Sequence, residues 1–129
     1  MTRFLILSAV LAGPALAGDT GPAQLIAGYE ATAGAPADAE RGRALFLSTQ
    51  TGGKPDTPSC TTCHGADVTR AGQTRTGKEI APLAPSATPD RFTDSARVEK
   101  WFGRNCNSVI GRDCTPGEKS DLLAWLAAQ

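Results

Sequence analysis

With 13 Lys and Arg against 13 Asp and Glu in 129 residues, the chain has no basic excess with which to hold a polyanion, so charge excludes nucleic acid as a partner. Its length suits one small domain. At 40% hydrophobic but only 5% aromatic residues, the core it can build from its own side chains is modest.

The N-terminus reads as an export signal. MTR supplies a positive start, FLILSAVLAGPAL an apolar run, and Ala15-Leu16-Ala17 a small-residue cleavage site. The run falls short of the roughly 18 to 20 apolar residues needed to span a bilayer. Residues 1–17 are therefore expected to be removed, leaving a soluble periplasmic domain of residues 18–129. That domain keeps 12 Lys and Arg (13 less Arg3) against 13 Asp and Glu.

Four helices are expected in the mature chain. The first covers Pro22 to Ala33, with Leu25, Ile26 and Tyr29 on one face, Asp19 or Thr20 as its cap, Pro22 in its first turn and Gly34 at its end. The second runs from about Ala37 to Ser48 and carries Leu45 and Phe46 beside Gly42. A glycine there costs helix stability and so marks a close crossing with another helix. After the loop GGKPDTPS, the stretch Gly65 to Arg91 is rich in Gly, Pro, Ser and Thr without periodicity and needs some other surface to fold against. The third helix, DSARVEKWFGRN, is capped by Thr93 or Asp94 and spaces Val98, Trp101 and Phe102 as an apolar stripe. The fourth opens on TPGE, a capping box, and carries Leu122, Leu123, Trp125 and Leu126. No strand pattern is evident, and the expected class is all-α.

Between the second and third helices stands Cys60-Thr61-Thr62-Cys63-His64-Gly65, the attachment signature of a c-type haem. Two thiols three positions apart can form thioethers to the two vinyl groups of one haem, and the adjacent His64 can reach the iron as the proximal ligand. A redox dithiol, a zinc site and a chance CxxC in a disulfide-bonded exported protein are the competing readings. A haem would also give the loop Gly65 to Arg91 its missing surface. His64 Nδ1 needs an acceptor, with carbonyls of Pro82 or Pro85 as candidates, and Arg70, Arg75 and Lys78 are available to the propionates.

The sixth ligand is restricted by composition. The one Met is Met1, in the export signal, and the one His is His64, so a His/Met or His/His iron is excluded in the mature domain. Lys, Tyr, a thiolate, water, an open position or a neutral amide such as Asn remain. Tyr29 sits on a core face and reads as packing. Asn105 and Asn107 flank Cys106 and, two positions apart on a helix, cannot both face the iron.

CTTCHG, then GKEIAPLAPSATPDRFTD, then KWFGRNCNSVIGRDCT and a closing amphipathic helix resemble the sphaeroides haem protein family, small exported monohaem cytochromes with a class I cytochrome c fold. The resemblance implies that Asn105 ligates ferric iron and leaves on reduction, so that O2, NO or CO can bind. It also implies a disulfide from Cys106 to Cys114, with a dihaem cytochrome c and a membrane cytochrome b as electron donors. The expected function is a redox-active, gas-binding cytochrome, most simply a monomer. The alternatives are an electron carrier without gas binding, a gas sensor, or a nitric oxide dioxygenase-type haem enzyme. With no second His as a distal acid-base group, peroxidase chemistry is disfavoured.

Overall fold

The structure, a computed structural model, describes residues 18–129, so the expected signal at 1–17 lies outside the described residues. The chain is mostly helical: α1 (Pro22–Ala33), α2 (Ala39–Leu47), α3 (Thr61–His64), α4 (Ser95–Val109) and α5 (Pro116–Leu126). Two short strands, β1 (Gly72–Gln73) and β2 (Glu79–Ile80), lie between α3 and α4.

Helix α1 has the expected span, but its expected cap does not form. Gly21 occupies the N-cap position without a side-chain bond. Asp19 serves α4 instead, accepting from the Ser95 N–H at 2.9 Å and the Ser95 hydroxyl at 2.5 Å. A short polar side chain caps whichever free N–H groups the fold brings to it, near or far in sequence.

Helix α2 starts under Asp38, whose carboxylate accepts from the N–H groups of Glu40 and Arg41 at 2.9 and 3.0 Å. Its Gly42 lies so close to α5 that a Cβ there would sit 2.0 Å from the Asp121 carbonyl oxygen, which is the close crossing expected of this glycine. The Asp121 side chain, nearly buried, accepts from the Asp38 N–H at 2.6 Å and from Arg41 Nε at 2.8 Å. Beyond the crossing, Phe46 (3% exposed) packs on Trp125 with ring centroids 5.0 Å apart. Helix α1 packs on α5 as well. The Thr115–Glu118 capping box forms as expected, and Leu122, Leu123, Trp125 and Leu126 are all buried.

Helix α4 is capped by Asp94, which accepts from the Arg97 N–H at 2.8 Å; Thr93 plays no such part. It continues to Val109, beyond the end expected at Asn105, so Asn105, Cys106 and Asn107 are all helical. Its apolar stripe faces an interior cavity, which Val98, Trp101 and Phe102 all line. Val98 is buried and Phe102 half-buried, whereas Trp101 is 46% exposed. Lys100 Nζ and the Arg104 guanidinium each lie 5.5 Å from a Trp101 ring centroid, within cation–π range.

The region from Gly65 to Arg91 corrects a second expectation. Gly72 pairs with Ile80 and Gln73 with Glu79 in an antiparallel hairpin. Strands of two residues are too short to show the period-2 alternation by which a strand is read. The same holds for α3, a single turn too brief for a helical period.

The crossing makes a sharp prediction. Gly42→Ala must separate α2 from α5 and lowers stability by about 1–3 kcal/mol in denaturant titration. Gly28→Ala, in α1 with no neighbour within 4 Å of the added Cβ, is neutral or stabilising.

The caps also predict a pH dependence. Hydrogen bonds led by the Arg41 N–H hold the Asp38 carboxyl below its ordinary 3.8, and the Arg112 side chain leads in holding Glu118 below 4.5. Groups depressed on folding stabilise fully above their unfolded values and lose that contribution as pH falls through the folded ones. The contribution of these carboxylates should be constant above 4.5 and fade below it, so the gap in melting temperature between the wild type and Glu118→Gln should stay constant above 4.5 and narrow below it.

Candidate functional site

A cavity of about 550 Å3 is enclosed by residues of α2, α3, α4, α5 and the hairpin. This is a volume typical of small-molecule sites, which run from roughly 300 to 1,000 Å3. Leu45, Phe46, Val98, Phe102, Leu122 and Leu126 give it apolar walls.

Cys60, Cys63 and His64 all line it. Ser59 starts the α3 turn: its hydroxyl oxygen accepts from the Thr61 N–H at 3.2 Å, while its O–H donates to the Phe46 carbonyl at 3.4 Å, tying α3 to α2. One helical turn then puts positions three and four apart on one face, which brings both thiols and the imidazole to a single space. From the other side, β1 presses so closely on the turn that a Cβ on Gly72 would lie 2.2 Å from the Cys63 carbonyl oxygen. The Phe46 and His64 ring centroids are 6.2 Å apart.

The electrostatics separate the competing readings of CTTCHG. Burial pushes the Cys60 thiol up to about 11, far from the low-pKa thiolate of a redox dithiol. Among the described residues no group of three or more His, Cys, Asp and Glu is placed to hold a metal, as a closed zinc site requires. Burial first, and the charge of Arg91 second, pull His64 down to about 4, so its ring is neutral near pH 7 and keeps a lone pair for a metal.

Asn105 lines the cavity, and among the described residues its amide has no hydrogen-bond partner. The amide of Asn107 is used elsewhere, donating to the Gly103 carbonyl at 2.8 Å and to Asp113 Oδ1 at 2.6 Å. Cys106 and Cys114 are bridged, with Cα atoms 5.6 Å apart, and both belong to the buried core with Phe46, Leu122 and Trp125. Tyr29 lies outside the cavity lining, hydrogen-bonded to Glu99 and edge-on to Phe102.

The charged residues around the cavity differ from those expected. Lys78 lines it, but Arg70 and Arg75 do not, and Arg75 lies 4.0 Å from Asp56. Arg91 and Arg97 line it in their place. Arg91 Nε donates to the Pro82 carbonyl at 2.8 Å, taking an acceptor expected for His64. Among the described residues, the His64 ring makes no hydrogen bond. Phe92 also lines the cavity, at φ 62°, a left-handed conformation that a bulky residue adopts only when its surroundings impose it. Arg91 and Phe92 carried no signal in the sequence, because nothing in ATPDRFTD separates them from ordinary loop residues.

Two thiols beside a neutral imidazole, apolar walls and nearby cations fit a planar apolar group with anionic arms, covalently attached. The bridge is testable alone. Converting both Cys106 and Cys114 to Ser should cost roughly 2 to 3 kcal/mol in thermal or denaturant unfolding under non-reducing conditions.

A family profile, described as a domain of unknown function (DUF1924), matches residues 32–126. Cytochrome c-type protein SHP of Cereibacter sphaeroides is 97% identical over 129 residues, with both chains fully covered. Cytochrome c'' of Methylophilus methylotrophus is 42% identical over 72 residues, 55% of this chain and 50% of its own. Among solved structures, oxidized SHP, described as an oxygen-binding cytochrome c, matches with a TM-score of 0.86 at 96% identity, over 87% of this chain and 100% of its own. Oxidized cytochrome c'' of Methylophilus methylotrophus matches at 0.72 and 31% identity, over 84% and 94%. These likenesses, with the class I cytochrome c-like fold and the cavity that suits one covalently attached haem c, place the chain in a family: it belongs to the SHP, or sphaeroides haem protein, family of c-type cytochromes.

Proposed function

We propose that this is an exported, monomeric, periplasmic cytochrome in which Asn105 is an axial ligand that departs on reduction and so admits a diatomic gas. Cys60 and Cys63 would hold the haem through thioethers, and His64 and Asn105 would be the iron's protein donors. The observation that supports this reading is that all four residues line one apolar cavity, while the amide of Asn107 is engaged outside it. That the 97% identical SHP has a counterpart structure described as an oxygen-binding cytochrome c supports the gas-binding part.

When bound, the haem would supply a one-electron ferric/ferrous couple and an iron able to take protein or gas ligands. The Asn105 carboxamide oxygen is a neutral, hard, weak donor, which suits ferric iron better than ferrous and so loosens on reduction. Val98, Phe102 and Val109 keep the surroundings of Asn105 apolar, which favours neutral O2, NO and CO over hydrated anions. With no second His to pass a proton, the residues suit reversible binding and electron delivery better than peroxide cleavage. A dihaem cytochrome c or a membrane cytochrome b is the donor this reading calls for.

Asn105→Val tests the ligand assignment. The ferric protein should change from a low-spin to a high-spin visible spectrum, and the reduced variant should still bind CO. An unchanged ferric spectrum in this variant, with the change appearing in Lys78→Ala instead, would move the ligand to the cavity lysine. A reduced wild-type protein whose spectrum ignores added CO would refute gas binding.

A further inference from the structure

We infer that Asn107 is a latch that sets how readily Asn105 leaves and returns, a positioning role that rests on the ligand assignment above. Its amide donates to the Gly103 carbonyl one turn earlier in α4, at 2.8 Å, and to Asp113 Oδ1, beside Cys114, at 2.6 Å. One side chain thus closes the turn that contains Asn105 and ties it to the segment that the disulfide also holds.

The fastening around Asn105 is closer after it than before it, where the nearest anchors are Phe102 against Tyr29 and Glu99 against Lys119. After it, Cys106 is bridged to Cys114, and Ser108 is held twice: its carbonyl accepts from the Lys54 N–H at 2.7 Å and its hydroxyl pairs with Thr57 Oγ1 at 2.8 Å. Before it come exposed Arg104 and then Gly103. A Cβ on Gly103 would meet nothing within 4 Å, and its φ is not positive, so neither packing nor backbone geometry calls for glycine there. A glycine in mid-helix loosens it. The movement that frees Asn105 is therefore easiest on the Gly103 side of the turn, and the Asn107 amide adds a side-chain bond across it to the backbone bonds of the helix.

Releasing the latch favours the arrangement with Asn105 off. In the haem-loaded protein, Asn107→Ala should raise the CO affinity of the reduced form about tenfold, the worth of a hydrogen bond with a charged partner. Amide hydrogen exchange in residues 103–107 of the ferric form should quicken as well. Alanine favours helix more than asparagine does, so a gain in exchange cannot come from propensity. Asp113→Ala removes one arm of the latch and should give a smaller rise in CO affinity.

Arg112→Ala is the comparator. It breaks the 2.8 Å pair with Glu118 and the 2.9 Å bond to the Asp113 carbonyl but removes neither bond of the Asn107 amide, so it should lower the melting temperature without altering CO affinity. If Asn107→Ala lowers the melting temperature while CO affinity and exchange stay at wild-type values, the latch is wrong. Where Asn107→Ala does not yield loaded protein, Asp113→Ala decides, and an unchanged CO affinity there overturns the proposal. An Asn105→Val variant with unaltered ferric spectrum overturns the ligand assignment and the latch with it. An altered Asn105→Val spectrum beside an inert Asn107 overturns the latch alone.

Discussion

Backbone contact between α2 and α5 at Gly42 is the constraint on which the rest of the structure depends. With a Cβ position only 2.0 Å from the Asp121 carbonyl oxygen, the helices touch main chain to main chain, and the nearly buried Asp121 carboxylate locks their relative position through Arg41 and the Asp38 N–H. The crossing fixes Phe46 against Trp125, and the Ser59 hydroxyl hangs α3 from the Phe46 carbonyl. The placement of CTTCHG is thus inherited from the α2–α5 contact. Few contacts of this quality are needed, because a domain with so little aromatic content encloses a large apolar group where a larger protein would place more side chains.

Helix α4 is held by different means. The close helix packing is α2 on α5 and α1 on α5. Helix α4 is joined to its surroundings by the Cys106–Cys114 bridge, by Glu99 meeting Tyr29 and Lys119, and by Ser108 meeting Lys54 and Thr57. Such point fastenings leave its cavity-lining face, from Val98 through Asn105 to Val109, available to whatever occupies the cavity. A ligand that must come and go is better carried on a helix pinned at chosen points than on one embedded in the core, where packing resists displacement.

Much of the site was legible in the chain because its chemistry is local. The spacing of CTTCHG, the single His and the lone Met1 restrict the iron's partners without any fold, and the family resemblance singles out Asn105 and the Cys106–Cys114 pair. The cationic lining was not legible. Arg91 and Arg97 look no different from Arg70 and Arg75 in sequence, and only the path of the loop decides which of them reach the cavity. Phe92 is another case, since its left-handed backbone is imposed by neighbours that no local pattern names.

By itself the sequence determined the presence of the four longer helices, the TPGE capping box and the haem attachment motif, because each depends on residues within a few positions of one another, and it marked Gly42 as a point of close crossing without naming the partner. Only the tertiary structure decided that Asp19 caps α4 from far away in the chain, that Trp101 joins the cavity lining with two cations near its ring, and that a two-residue hairpin backs the Cys63 turn. It also separated two asparagines that flank one cysteine. Asn105 and Asn107 are chemically identical and both helical, so what distinguishes them is the direction each faces, and direction exists only once α4 has been set against the cavity on one side and Asp113 on the other.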